Sequence, residues 1–126
     1  MGLIRRHHIS FTNAANGIKW AFSTQPNFRV HVFFSAIAIF LSIALGISTV
    51  EMILIVLTII LGLSVEMVNT SIESMTDLIS TEWHQQAKIA KDVSAGMMLL
   101  TAIGATIVGC LVFLPRIYSL IVFHSF

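Results

Sequence analysis

Apolar residues in this chain fall into three long runs separated by short polar breaks. Residues 30–50 hold no charge apart from a possible one on His31. A second run starts near Glu51 or Met52 and continues to about Ile79, with acidic residues entering from Glu66 onward. Residues 93–115 hold no Lys, Arg, Asp or Glu. About 20 apolar residues, at ~1.5 Å rise each, cross a hydrocarbon core about 30 Å thick. The runs therefore predict three membrane-spanning helices, over about 30–48, 51–79 and 92–114. Gly46 to Thr49 is so short a connection that the first two spans must form an antiparallel hairpin. Upstream, Phe11, Ala14, Ala15, Ile18 and Phe22 recur at helical spacing, opposite Thr12, Asn16, Lys19 and Ser23. That pattern predicts an amphipathic helix over about 9–23, lying in the plane of the interface, with Trp20 at headgroup level. Pro26 ends it, because the residue before a proline disfavours the helical region. The segment from Thr24 to Asn27 is then a short turn, and Ser80 to Lys91 a compact polar loop.

Composition agrees with an all-α membrane protein. Of the 126 residues, 56% are hydrophobic and only 10% charged, with a mean hydropathy of +0.91. Soluble domains carry about 25% charged residues. Residues 1–126 read as one integral membrane domain, with no space for a second soluble one. The first 29 residues lack the apolar core of a cleavable signal peptide. Cys110 lies alone in an apolar run, so it reads as a small hydrophobe rather than a disulfide partner or metal ligand. Arg5, Arg6, Lys19 and Arg29 precede the first span, and Lys88 and Lys91 sit between the second and third. Only Arg116 lies at the opposite end. The positive-inside rule puts the N-terminus and second loop in the cytoplasm and the C-terminus outside.

The chemistry is concentrated in the second span. Glu66, Asn69, Glu73 and Asp77 share one face of a helix, the three carboxylates within about 40° of one another. The apolar stretch before them, Met52 to Val65, is too short to cross the bilayer alone. Glu66 is therefore expected at membrane depth, Glu73 near the interface and Asp77 outside. An ionisable group at such depth is costly and points to function. Desolvation favours the proton-holding form of a carboxylate, which suits a general base working near neutral pH. Lys91 and Asp92, at the start of the third span, come to the same height as the outer end of the stripe. Carboxylate and amide oxygens at a membrane boundary suit Mg²⁺, which keeps several waters and shares its shell with phosphates. Lys91 suits a phosphate as a point charge. The arrangement predicts phosphoryl transfer to a lipid hydroxyl held at the interface.

Each residue also has a plainer reading. Lys91 and Asp92 can serve simply as a helix start. Glu82 and His84 read as solvated loop residues, His7 and His8 as surface residues, and His31 as a marker of headgroup level. Glu51 is a boundary residue for which the sequence shows no partner. The same carboxylates can be a proton or ion relay, so a small membrane carrier is the alternative function; a non-catalytic scaffold is another. Neither a Walker A motif nor protein-kinase signatures occur, no zinc motif is present, and the few basic residues do not suggest nucleic acid.

Val65-Glu66-Met67-Val68-Asn69-Thr70-Ser71-Ile72-Glu73, followed by Asp77, resembles the signature of the small prokaryotic diacylglycerol kinase family. Ala87-Lys88-Ile89-Ala90-Lys91-Asp92-Val93-Ser94-Ala95-Gly96 and Asn27-Phe28-Arg29-Val30-His31 belong to the same pattern. The resemblance runs from about residue 13 to 116, and the forms around Arg29 and Lys91 look more like the branch that phosphorylates undecaprenol. It implies a homotrimeric helical bundle in a bacterial cell membrane, with composite sites shared between subunits. MgATP would donate its γ-phosphate to a lipid alcohol, undecaprenol ahead of diacylglycerol. By position, Glu66 would be the general base, held by Asn69, and Glu73 a metal ligand. Arg6, Asn13, Gln25, Glu73, Asp77, Glu82, His84, Lys91 and Asp92 would contact ATP. Glu66, Asn69 and Ala95 would meet the lipid. The family's second metal-binding carboxylate falls on Gln25, whose amide oxygen can ligate Mg²⁺ but brings no charge.

Overall fold

The computed structural model describes residues 2–79 and 82–123; Ser80 and Thr81, read above as loop, lie outside the described residues. It contains four helices: α1 (Leu3–Thr24), α2 (Pro26–Ala44), α3 (Thr49–Ile79) and α4 (Gln85–Phe123). There is no strand among the described residues. The last three helices are long and apolar enough to cross a membrane. Three membrane helices preceded by an amphipathic one is the all-helical architecture that the hydropathy pattern predicts.

Each boundary has a local cause. Only Gln25 breaks the chain between α1 and α2, its backbone N–H closing α1 on Ala21 O at 2.9 Å. Pro26 opens α2, where its missing N–H costs nothing. Between α2 and α3, Gly46 takes φ = 57°, a left-handed conformation that side chains resist. Ser48 then caps α3 reciprocally with Glu51: Ser48 N–H donates to Glu51 Oε2 at 2.7 Å, and Glu51 N–H to Ser48 Oγ at 3.3 Å. α4 begins at Gln85, inside the stretch read as loop, because Gln, Ala and Lys are good helix formers. It also passes through Pro115, which leaves the ladder one donor short without ending the helix.

The helices differ in length, and the difference positions the site. With 19 residues α2 is about 28 Å long, one bilayer core. α3, with 31 residues, reaches about 46 Å. Beyond the end of α2, therefore, α3 and α4 continue together as a two-helix projection. α3 packs most extensively on α4 and next on α2. Small and polar side chains occupy these contacts: Ser42 and Ser94 are fully buried, their hydroxyls donating to Ala38 O and Lys91 O. Large apolar side chains such as Phe33, Phe40, Leu100 and Leu111 point outward, as they do where lipid is the solvent.

Two ion pairs tie α3 to α4, one at each end. Arg116 meets Glu51 at the turn end, and Lys91 meets Asp77 at the loop end. Glu51 and Asp77 are 26 residues apart, Lys91 and Arg116 25, so the two helices keep one register between the ties. That spacing is about 38 Å along the axes, more than a hydrocarbon core. Glu51, left without a partner in the sequence, is thus both a helix cap and a link to α4.

Gly46→Ala places a Cβ in the left-handed turn. It should destabilise the protein by about 1 kcal/mol, seen as an earlier midpoint in denaturant titration in micelles.

Candidate active site

The acidic stripe of α3 passes from buried to exposed along the helix. Glu66 is 3% exposed and Asn69 5%, whereas Glu73 is half-buried and Asp77 exposed. Measured from Glu51, Glu66 lies about 22 Å along α3, Glu73 about 33 Å and Asp77 about 39 Å. A core of about 30 Å therefore holds Glu66 and releases the other two. Glu66 is turned inward among helices, away from the lipid-facing surface.

Asn69 donates from Nδ2 to Glu73 Oε1 at 3.1 Å. The sequence reading expected that amide to hold Glu66. Both carboxylates lie on its face of the helix, and the neighbour four residues ahead takes the bond. Asn69 Oδ1 is buried without a hydrogen-bond partner among the described residues. A buried acceptor of this kind is costly to leave unmet, so the site presents an acceptor ready for a hydroxyl or water.

Two cavities flank the stripe. At the loop end, a pocket of about 420 Å³ is lined by Asp77, Glu82, Trp83, His84, Lys88, Lys91 and Asp92. Its size is that of a small-molecule site. The structure thus gathers Asp77, the stretch from Glu82 to His84, Lys91 and Asp92, all expected to touch nucleotide, and adds Lys88 to them. Lys88 pairs with Asp92 and Lys91 with Asp77, so both cations face carboxylates rather than empty space. Towards the turn end, an apolar groove of about 470 Å³ runs between α2, α3 and α4. Val30, Phe34, Ile59, Leu63 and Phe113 line it, with Gly62 one turn from Glu66. Glu66 stands between an oily groove and a charged pocket.

The remaining expected residues are less gathered. Arg6 and Asn13 lie on the exposed face of α1, and no side-chain hydrogen bond or ion pair joins them to α3 or α4 among the described residues. Gln25 is half-buried at the α1–α2 junction, its amide nitrogen donating to Thr24 Oγ1 at 3.3 Å. Ala95 is exposed beside the buried Ser94. No group of three His, Cys, Asp or Glu side chains able to hold a metal exists among the described residues. One carboxylate, Glu73, with the open Oδ1 of Asn69 four residues away, fits only an ion that arrives already ligated by phosphate and water, which is how Mg²⁺ is commonly held.

Fold and site together define an integral membrane protein with a polar centre at the lipid–water boundary. Residues 12–113 match the family described as prokaryotic diacylglycerol kinase. The chain is 41% identical over 115 residues to a diacylglycerol kinase of Synechocystis sp., covering 90% of this chain and 66% of that protein. It is 34% identical over 114 residues to an undecaprenol kinase of Bacillus subtilis, covering 90% and 93%. To a diacylglycerol kinase of Escherichia coli K12 it is 26% identical over 95 residues, 75% of this chain and 78% of that one. The chain thus spans just under two thirds of the Synechocystis protein and nearly all of the Bacillus one. It belongs to the prokaryotic diacylglycerol kinase family, a family of membrane lipid kinases.

The Lys91–Asp77 pair is exposed to water, at 39% and 68% of the two side chains. Such pairs contribute about 0–1 kcal/mol. Asp77→Asn should therefore shift the unfolding free energy in micelles by less than about 1 kcal/mol, whatever it does to activity.

Proposed function

We propose that this protein transfers the γ-phosphate of ATP to the hydroxyl of a membrane lipid, yielding the lipid monophosphate. The observation that carries the reading is the position of Glu66 between the apolar groove and the charged pocket. A lipid alcohol lying in the groove brings its hydroxyl to the deep end of the stripe. A nucleotide in the loop-end pocket brings phosphate down from the other side. An oily groove that ends one turn short of Glu66, and a cluster of Lys and carboxylate side chains about 15 Å beyond it along α3, suit a lipid tail and a phosphate-bearing co-substrate.

In this mechanism Glu66 accepts the proton of the lipid hydroxyl. Asn69 fixes Glu73 through Nδ2, which leaves its open Oδ1 to accept from a water or a second hydroxyl in the site rather than from the hydroxyl that Glu66 deprotonates. Lys91 leaves Asp77 for the incoming phosphate, while Asp92, Glu82 and His84 border the nucleotide. Glu73, with Gln25 as a neutral second donor, would hold Mg²⁺, which neutralises charge on the phosphates when bound. Catalysis here is positioning and charge neutralisation rather than covalent chemistry. Arg6 and Asn13 reach the nucleotide only across a subunit boundary or by movement of α1. A homotrimer with shared sites supplies the first route.

Undecaprenol stands ahead of diacylglycerol as acceptor, on the forms around Arg29 and Lys91. The relative at 41% identity carries the diacylglycerol name and keeps that acceptor as the second reading. Lys and Arg placement sets the loop end in the cytoplasm, where ATP is, and the C-terminus outside.

Purified protein with Mg²⁺, γ-labelled ATP and a panel of lipid alcohols should label undecaprenol, and diacylglycerol less. Ion flux through vesicles without ATP use would instead establish the carrier. Glu66→Gln should abolish lipid labelling while leaving helicity and oligomeric size unchanged; full activity would remove the base from the mechanism. Glu73→Ala should move the Mg²⁺ titration to higher concentration or abolish ATP use, and an unmoved titration would take Glu73 out of the metal site.

A further inference from the structure

We infer that Arg116 and Glu51, at the end of the bundle remote from the site, are positioning residues. Together they fix how far α3 stands along α4. In doing so they keep Glu66 and Glu73 in step with Lys91 and Asp92. Lys91 lies 25 residues from Arg116, about 38 Å along α4, so any influence passes through helix register rather than contact with substrate. The activity readout rests on the lipid-kinase reading; the geometry does not.

Helices in lipid lack a hydrophobic force between them and are held by close packing and polar ties. The α4 face along the groove is mostly small, with Ala102, Ala105 and Gly109 ahead of Phe113, and α3 brings Thr58 and Gly62 to it beside Ile59 and Leu63. Small residues at a helix contact interlock less than large ones and leave room for slips of up to one turn, about 5.4 Å. Two charged ties add to the register that packing sets, and they are unequal. Lys91 and Asp77 face water, and Lys91 is the cation that an incoming phosphate takes. The loop-end tie is thus surrendered when the site fills.

The turn-end tie is built differently. The Arg116 and Glu51 side chains are only 32% and 29% exposed. Arg116 Nη1 also donates to Gly46 O at 3.1 Å, and Glu51 Oε2 accepts from Ser48 N–H at 2.7 Å. One guanidinium therefore joins α4, the α2–α3 turn and the first turn of α3. Its Nε is buried without a partner among the described residues, so its placement answers to these contacts and not to full satisfaction of the guanidinium. Pro115 immediately precedes it, where the helix ladder is already loosened. Nothing in this clamp is released when nucleotide binds at the far end.

The test has two arms, both on the full chain in bilayers. In the first, steady-state kinetics compare the parent with Arg116→Gln, Arg116→Lys and Glu51→Gln. A one-ångström misplacement can cost roughly 100-fold in rate, so Arg116→Gln should lower kcat by about 10- to 100-fold. The KM for ATP should stay within about twofold, and Arg116→Lys should recover most of the loss. In the second arm, Cys110→Ser chains carry spin labels at Leu78→Cys and Ile89→Cys, diluted with unlabelled chains, and the label–label distance is measured without nucleotide. Asp77→Asn alone should leave a narrow distribution. Combined with Arg116→Gln it should give a broad one. An unchanged kcat in Arg116→Gln, failure of Arg116→Lys to restore it, or a distribution still narrow in the combined variant overturns the inference. Should Arg116→Gln not fold, Glu51→Gln takes its place in both arms with the same outcomes. Should the parent label no lipid, the lipid-kinase reading fails and the distance arm still decides the clamp.

Discussion

A helix that carries ionisable groups from lipid into water must be longer than the bilayer is thick. α3 meets that constraint with 31 residues against the 19 of α2, and the rest of the molecule follows from the difference. α2 stops where the hydrocarbon stops, and the proline that opens it sends α1 away as a separate amphipathic helix. α3 and α4 continue beyond it, held side by side by Lys91 and Asp77. The charged pocket exists only because these two helices outrun their neighbour. Were α3 only 19 residues long, it would end at Met67, and Glu73 and Asp77 would lie beyond the helix that lines them up with Glu66.

Within that frame the stripe grades the environment of four similar side chains. Glu66 is enclosed by helices, Asn69 is enclosed and half-satisfied, Glu73 shares Asn69's amide, and Asp77 sits in water with a lysine. Chemistry that joins a lipid to a charged co-substrate needs such a gradient, since no single dielectric suits both. The chain makes it along one helix face, with the segment before α4 bordering only the outer pocket. This sequence carries neither a Walker A motif nor the protein-kinase signatures, yet it belongs to a kinase family.

Much of this was legible in the sequence, and for specific reasons. Spans announce themselves because hydrocarbon admits only fully bonded helices of one length range. The stripe was legible because helical periodicity places Glu66, Asn69, Glu73 and Asp77 on one face whatever the tertiary fold. Other features were hidden. Periodicity puts Glu66 and Glu73 alike within reach of Asn69 and cannot choose between them. Glu51 finds Arg116 across 65 residues of chain, a distance over which local pattern carries no signal. The Ser48–Glu51 capping box could have been recognised, since Ser followed three residues later by Glu ahead of an apolar run is its signature. Lys88 was obscured by reading polarity after Ile79 as loop, when helical residues resume at Gln85 and turn Lys88 toward Asp92.

The placement of Glu66 inside the slab and of the Lys91 pocket outside it has a kinetic corollary. Reactants on the two sides of such a site are counted in different units. In the proposed reaction a lipid alcohol would reach the groove by diffusing in two dimensions, so its effective concentration would be a mole fraction of the bilayer. A nucleotide arrives from bulk solution and is counted as molarity. Diluting the membrane with inert lipid would slow turnover at constant ATP, and swelling the aqueous volume would starve the other half of the reaction while leaving the first untouched.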